Sequence, residues 1–142
     1  SIAQVNAMAW WSGLKQRYTR GEISFDASLT DSAAEIPGEL FDSVAENLLQ
    51  NAIAKAQEHA GIRIVVTFDE KSIGGRLRIC DTGSAVPKAV ATKLFFVPVP
   101  SRNGLGIGLY QAAHQAQQAG YLLTLVNNDN GSVCFELRKS AA

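Results

Sequence analysis

The sequence predicts an α+β fold, in which two long helices are combined with several short strands. Apolar residues recur with helical periodicity over residues 39–59, and an alanine- and glutamine-rich stretch predicts a second helix over 105–118. Alternating apolar residues predict strands, and two pairs of these strands are joined by hairpin turns. The strands cover residues 23–27, 62–68, 76–80, 121–126 and 133–137.

Length and composition restrict the class of protein. The chain has 142 residues, of which 46% are hydrophobic and 18% are charged, and this suits one soluble globular domain. Thirteen basic and 13 acidic side chains give zero net charge, so nothing favours nucleic acid or an anionic membrane as a partner. No apolar run approaches the roughly 20 residues that span a bilayer, and the first residues lack a signal-peptide pattern.

The first 20 residues predict a helical leader, followed by a domain over 21–142. Apolar residues occur in it at approximately helical spacing, at Ile2, Val5, Met8, Ala9 and Leu14. The stretch begins without a capping pattern. Three interpretations are open: the end of a longer helix, a helix that packs on a partner, or a helix folded back on its own domain.

The cysteines and histidines do not form a recognisable site. Cys80 and Cys134 lie in separate strand-like stretches, and we expect two reduced thiols in the core of a cytosolic protein in preference to a disulfide or metal site. His59 and His114 have no cysteine or carboxylate at ligand spacing. We expect both histidines to be surface or helix-packing residues.

Polar residues recur every four positions along one edge of the first long helix, at Asn47, Asn51 and Lys55. Amides beside a buried face are poor packing choices unless they contact something polar. Amide oxygens can ligate Mg²⁺ or hold its waters, and an ammonium can meet phosphate. The alternative is a row of solvated helix-edge residues.

Asp81 directly follows a predicted strand and opens the turn Asp81–Pro87. A carboxylate there can accept a charge-assisted hydrogen bond from an exocyclic amine. Gly83 would let a flat ring approach the backbone. Ordinary turn chemistry, in which Asp and Gly are common, is the alternative.

Three alternating glycines lie in Asn103–Leu109, immediately at the start of the second helix. Backbone N–H groups without obstructing side chains, together with the positive end of a helix, can bind phosphate oxygens. The same pattern also occurs as a plain helix start.

Taken in order, these features resemble the catalytic ATP-binding domain of sensor histidine kinases, within the GHKL ATPase superfamily. The resemblance covers roughly residues 23–138. It rests on segments similar to the N box (Asn47–Ala52), the G1 box (Asp81–Pro87), the F box (beginning at Leu94-Phe95) and the G2 box (Asn103–Leu109).

The resemblance implies the Bergerat fold, a two-layer α/β sandwich with a mixed, mostly antiparallel sheet and helices on one face. It implies that Asn51 coordinates Mg²⁺ with Asn47 beside it as the catalytic pair, and that Lys55 assists the phosphates. Asp81 would bind the adenine amine, and Gly83 would make room for the ring. The residues implied to line the phosphate side are Ser101, Arg102, Asn103, Gly104, Leu105, Gly106 and Gly108.

The implied function is transfer of the ATP γ-phosphoryl group to a histidine on a separate dimerisation domain, with Mg²⁺ as cofactor. The leader over 1–20 would then be the end of a dimerisation helix, and the chain alone would not phosphorylate itself. A response regulator is the implied partner. The full-length protein is expected to be a homodimer whose ATP-binding part is cytoplasmic, with or without a membrane anchor elsewhere.

The sequence departs from the family pattern at three places, one of which is the short loop over 87–103 that implies a small lid. Ala85 replaces the second glycine of the G1 box, and Arg102 stands where a glycine precedes the G2 box. Ala85 is expected to restrict the turn and reshape the adenine pocket. Two alternatives are therefore kept: a degenerate nucleotide-binding signalling module without kinase activity, and a serine kinase of the anti-sigma type.

Overall fold

The computed structural model describes residues 2–98 and 105–141, with the backbone alone at 105 and 106. Within these ranges the chain forms seven strands and four helices. In order they are β1 (Gln4–Asn6), α1 (Ala7–Arg17), β2 (Ile23–Ser28), β3 (Glu35–Pro37), α2 (Gly38–Glu58), β4 (Ile64–Asp69), β5 (Arg76–Asp81), α3 (Lys88–Ala91), α4 (Leu105–Gln118), β6 (Tyr121–Asp129) and β7 (Ser132–Lys139).

Five strands form one mixed sheet in the order β2-β4-β5-β7-β6. β2 runs parallel to β4, and every other neighbouring pair in this sheet is antiparallel. The short strands β1 and β3 form a separate antiparallel pair. The predicted α+β fold with a mixed, mostly antiparallel sheet is confirmed.

One face of the sheet packs against the helices, because alternate residues of each strand point to that side. In β4 these residues are Ile64, Val66 and Phe68, which are buried. α2 turns a buried apolar face to the same core. The observed bounds of α2 and α4 lie within one residue of the predicted helices. None of the helices in the described ranges is long and apolar enough to cross a membrane.

The helical leader packs into the same core. Asn6 caps α1 by accepting a hydrogen bond from the Ala9 N–H at 2.9 Å. The Trp10 ring lies edge-on to the Phe41 ring, with the two ring centroids 5.4 Å apart. The centroid of the Phe68 ring is 5.6 Å from that of Trp10. The leader is helical only over Ala7–Arg17, because residues 4–6 form the strand β1, and Trp10, Trp11 and Leu14 belong to the buried core of the domain.

The prediction of two reduced thiols is wrong for this structure, because Cys80 and Cys134 form a disulfide. The two residues face each other in the register of the neighbouring antiparallel strands β5 and β7, with Cα atoms 4.1 Å apart. The pairing of these two strands could not be predicted from the sequence, because the two cysteines are 54 positions apart. The disulfide therefore joins the centre of the sheet.

Candidate functional site

The polar edge of α2 is half-buried and forms one wall of the candidate site. Asn47, Asn51 and Lys55 follow one another at intervals of one helical turn. Asn47 is tethered within the helix, because its Nδ2 atom donates to the Ser43 carbonyl at 2.8 Å. Within residues 2–98 and 105–141, Asn51 makes no side-chain hydrogen bond. Its amide oxygen is therefore available to a ligand.

Asp81 lies at the end of β5 on the face that packs against the helices. It follows Leu77 and Ile79 in the alternation of the strand and is only 5% exposed. Its Oδ1 atom accepts hydrogen bonds from the Lys55 Nζ atom at 2.8 Å and from the Gly83 N–H at 2.9 Å. Lys55, which the resemblance associates with the phosphates, thus contacts the carboxylate associated with the base.

Glycine is needed at position 83 because other atoms lie close to its backbone, and not because its backbone has a positive φ angle. Gly83 is not among the described glycines with positive φ, and no described non-glycine residue has one, so Ala85 fits this turn without such strain. A Cβ atom at position 83 would lie 3.0 Å from Asp81 Oδ1 and 3.0 Å from Lys55 Cε. The Lys55–Asp81 ion pair therefore lies in the space beside Gly83 where the sequence analysis expected the adenine ring.

Gly108 provides a second close approach, between α4 and α2. A Cβ atom there would lie 2.0 Å from the Asn47 Oδ1 atom. The glycine thus brings the first turns of α4 against the end of the polar edge opposite Lys55. Because Asn47 and Lys55 are eight positions apart, these two ends are separated by about 12 Å along the helix axis.

Part of the implied phosphate segment is outside the described residues. Ser101, Arg102, Asn103 and Gly104 belong to that part. Leu105 and Gly106 form the first backbone positions of α4. The N-terminal end of this helix, where backbone N–H groups lack acceptors within the helix itself and attract anions, therefore begins just before the contact between Gly108 and Asn47.

The turn of the β6–β7 hairpin supports the G1-like segment, a role that the sequence analysis missed. Asn128 pairs with the backbone of Val86, accepting from its N–H at 2.8 Å and donating to its carbonyl at 2.9 Å. Asn130 Oδ1 accepts from the Ala85 N–H at 2.9 Å. The Gly131 N–H donates to the Gly83 carbonyl at 2.9 Å. The one signal in the sequence was the presence of three asparagines within residues 127–130, but the sequence alone does not identify their hydrogen-bond partners.

The candidate site presents three different chemical groups in a row along the polar edge of α2. A buried carboxylate with one oxygen held by Lys55 and Gly83 lies at one end, a free amide lies in the middle, and a helix N-terminal region lies at the other. Among the described side chains no three His, Cys, Asp or Glu residues converge on a metal site. A divalent cation at Asn51 would therefore take most of its ligands from phosphate and water, as Mg²⁺ commonly does.

Comparison with known protein families finds a match over most of the chain. Residues 38–141 match the profile of the family described as histidine kinase-, DNA gyrase B-, and HSP90-like ATPase. The sensor protein CreC of Escherichia coli is 31% identical over 104 residues, which cover 70% of this chain and 22% of that protein. The sensor protein LytS of Bacillus subtilis is 30% identical over 89 residues, or 63% of this chain and 14% of that protein.

The chain therefore spans less than a quarter of the length of these curated relatives. Solved structures agree on the fold. The catalytic domain of the histidine kinase ThkA superposes with a TM-score of 0.71 at 20% identity, covering 99% of this chain and 97% of that one. Full-length ShkA in complex with AMPPNP gives 0.73 at 18% identity, covering 100% of this chain and 32% of that one. From its matched residues and its fold, the chain belongs to the histidine kinase-, DNA gyrase B- and HSP90-like ATPase family.

Proposed function

We propose that this chain is the ATP-binding catalytic domain of a two-component sensor histidine kinase. It binds ATP with Mg²⁺ along the polar edge of α2 and passes the γ-phosphoryl group to a histidine of a separate dimerisation domain. The observation that carries the proposal is the half-buried Asn51 amide, which has no hydrogen-bond partner in the described chain and lies between the Asp81 carboxylate and Gly108. The names of the sensor relatives support it.

Each group has a role that follows from its position. Asp81 accepts a hydrogen bond from the exocyclic amine of adenine through the oxygen that Lys55 and Gly83 leave free. Asn51 offers its amide oxygen to a cation beside the phosphates. Mg²⁺, when bound, neutralises phosphate charge. The N-terminal N–H groups of α4 attract the phosphate oxygens, so the chain contributes mainly positioning and electrostatic stabilisation.

The phosphate acceptor and the partners belong to the same proposal. His59 is exposed at the end of α2, and His114 is exposed on α4, where it stacks on Tyr110. Neither position suits a phospho-accepting dimerisation helix, so we expect the isolated chain to bind ATP without labelling itself. The full-length protein is expected to be a cytoplasmic or membrane-anchored homodimer that passes the phosphoryl group to a response regulator.

Isothermal titration calorimetry with ATP tests the site directly. We expect Asp81→Asn to weaken binding at least about tenfold, roughly 1.4 kcal/mol, because the amide keeps the size but loses the charged acceptor. Asn51→Ala is expected to reduce the dependence of affinity on Mg²⁺. The matched controls are Asp26→Asn on an exposed strand position and Gln50→Ala on the exposed side of α2.

The alternatives predict other results. Binding that is indifferent to Mg²⁺ and to Asn51→Ala would support a degenerate nucleotide-binding module. Acid-stable label on a protein substrate at serine would support a serine kinase. Acid-labile label on the isolated chain after incubation with labelled ATP would refute the need for a separate acceptor domain.

A further inference from the structure

Lys55 and Asp81 form an ion pair at the base end of the candidate site. The Lys55 Nζ and Asp81 Oδ1 atoms are 2.8 Å apart, and the two side chains are 21% and 4% exposed. The same Oδ1 atom accepts from the Gly83 N–H. In the described part of the chain, Lys55 is the one cation paired with this carboxylate. A donor and an acceptor are therefore presented side by side.

The local sequence makes this pairing possible. Lys55 lies one turn beyond Asn51 on α2, and its ammonium faces the end of β5. Its stem crosses the open side of Gly83, where a Cβ atom would lie 3.0 Å from Lys55 Cε and 3.2 Å from Ile62 Cδ1. The lysine is thus held by packing as well as by charge. This ion pair is therefore more restricted than one between two fully exposed side chains.

We propose that Lys55 is a specificity-determining residue for the nucleotide base, an inference that rests on the proposed binding of a purine nucleotide at Asp81. An ionised carboxylate alone can only accept hydrogen bonds. It therefore accepts a hydrogen bond from the amino group of adenine and repels the carbonyl oxygen of a 6-oxopurine. With the ammonium beside it, the pair also offers a donor.

The pair then suits both kinds of purine. For adenine, the exocyclic amine donates to Asp81 and the ring nitrogen N1 accepts from Lys55. A 6-oxopurine presents its donor and acceptor in the reverse order, so its ring turns over or shifts in the site until N1–H donates to Asp81 and the carbonyl oxygen accepts from Lys55. The site is therefore tolerant of 6-oxopurine nucleoside triphosphates, and the lysine is the reason for that tolerance.

The test compares dissociation constants for ATP and inosine triphosphate (ITP), each with saturating Mg²⁺. ITP differs at the 6-position without adding the 2-amino group of guanine. We expect the wild-type Kd for ITP to lie within about tenfold of that for ATP, and Lys55→Met to raise the ITP-to-ATP ratio at least about tenfold. Lys55→Arg keeps a cationic donor and is expected to stay near the wild-type ratio. Lys71→Met, at an exposed turn, is the control.

The wild-type ratio is decisive even if Lys55→Met fails to fold with its unpaired carboxylate. Wild-type protein that binds ATP but excludes ITP more than about a hundredfold overturns the inference and leaves the proposed function intact. A folded Lys55→Met variant with an unchanged ratio, or an arginine variant that behaves like the methionine variant, does the same. Failure of the wild type to bind either nucleotide overturns both.

Discussion

The Oδ1 atom of Asn47 on α2 occupies the space that a side chain at Gly108 on α4 would need. A Cβ atom at position 108 would lie 2.0 Å from that oxygen, a separation that real Cβ atoms essentially never show. Asn47 cannot turn away freely, because its Nδ2 atom is bonded to the Ser43 carbonyl. The close approach of the two helices at the candidate site therefore depends on glycine at this position.

Gly108→Ala should destabilise the protein even though alanine is the better helix former. The gain in helix propensity is about 1 kcal/mol, whereas forcing a methyl group into occupied space typically costs about 1–3 kcal/mol, more when little can relax. We expect a net loss of stability in urea unfolding. Because Asn47 and the start of α4 would move apart from their present positions, ATP affinity should also fall, by about tenfold or more.

Gly13→Ala is the matched control for the glycine substitution. Gly13 lies within α1, and a Cβ atom there would approach only the end of the Arg17 side chain, at 3.7 Å. This change should stabilise the protein by about 0.5–1 kcal/mol. Adding Asn47→Ala to Gly108→Ala should restore stability beyond the sum of the single effects, because the two residues share one space. A Gly108→Ala protein as stable as wild type would contradict the contact.

Asn128→Ala should loosen the G1-like segment, to which Asn128 is directly hydrogen-bonded. Its side chain satisfies both backbone groups of Val86, so removing it leaves a donor and an acceptor to find water. We expect a loss of about 1–3 kcal/mol in unfolding free energy. Since the segment carries Gly83 and follows Asp81, we also expect ATP affinity to fall about threefold to tenfold in calorimetry.

Asn127→Ala separates the two effects. The Asn127 side chain donates to the carbonyl and hydroxyl oxygens of Ser132 within the hairpin, and among the described residues it makes no hydrogen bond to the G1-like segment. This variant should lose stability but retain ATP affinity. Equal losses of affinity in both variants would mean that Asn128 acts through general hairpin stability and not by holding Val86.

The two long helices and the five strands of the main sheet were predictable from the sequence because their apolar periodicity is strong, whereas the short strands β1 and β3 were not predicted. α4 was predicted over its observed range, whereas β5 was predicted to end at residue 80, one position before Asp81, which the structure includes in the strand. The i, i+4 spacing of Asn47 and Asn51 placed both amides on one edge of α2. Helical and strand periods carry this information locally, so no tertiary contact was needed.

The partners of these residues could not be predicted, because they come from distant parts of the chain. The disulfide depends on β7 pairing with β5, which no local pattern specifies. The preference of Lys55 for Asp81 depends on how far α2 extends over the end of β5. The support that Asn128 gives to Val86 depends on the sheet order, which places the β6–β7 turn beside the end of β5.

The disulfide should stabilise the fold with little effect on the candidate site. Cys80 and Cys134 are 54 positions apart, and closing a loop of that size restricts the unfolded chain by roughly 4 kcal/mol in the entropic account, with about 2–4 typical. Dithiothreitol should therefore lower the urea midpoint of the wild type. Successive side chains in a strand point to opposite faces, so Cys80 points away from the side of Asp81, and ATP affinity should change less than about threefold.

A Cys80→Ala/Cys134→Ala variant provides the control for reduction. Alanine is preferred because Cys134 is buried. This variant should start from the lower stability and show no response to dithiothreitol, while binding ATP like the wild type. If dithiothreitol leaves the wild-type midpoint unchanged, the disulfide does not contribute to stability in solution.

Trp10→Ala should destabilise the whole domain, because α1 is part of its core. The Trp10 ring is buried against Phe41 and Phe68, and its Nε1 atom donates to Asp42 at 2.7 Å. Truncating such a ring costs about 3–5 kcal/mol. Trp10→Phe keeps much of the packing and should cost less, since Asp42 retains its ion pair with Arg17. Urea unfolding measures both changes.

Ile2→Ala is the control for the tryptophan variants, since Ile2 lies in the same leader but is 48% exposed. A surface change of this kind should alter stability by no more than about 0.5 kcal/mol. If α1 instead served only a partner and rested loosely on this domain, Trp10→Ala would behave like Ile2→Ala. A cooperative loss of stability in Trp10→Ala alone would show that α1 unfolds together with α2, the helix that carries Asn47 and Asn51.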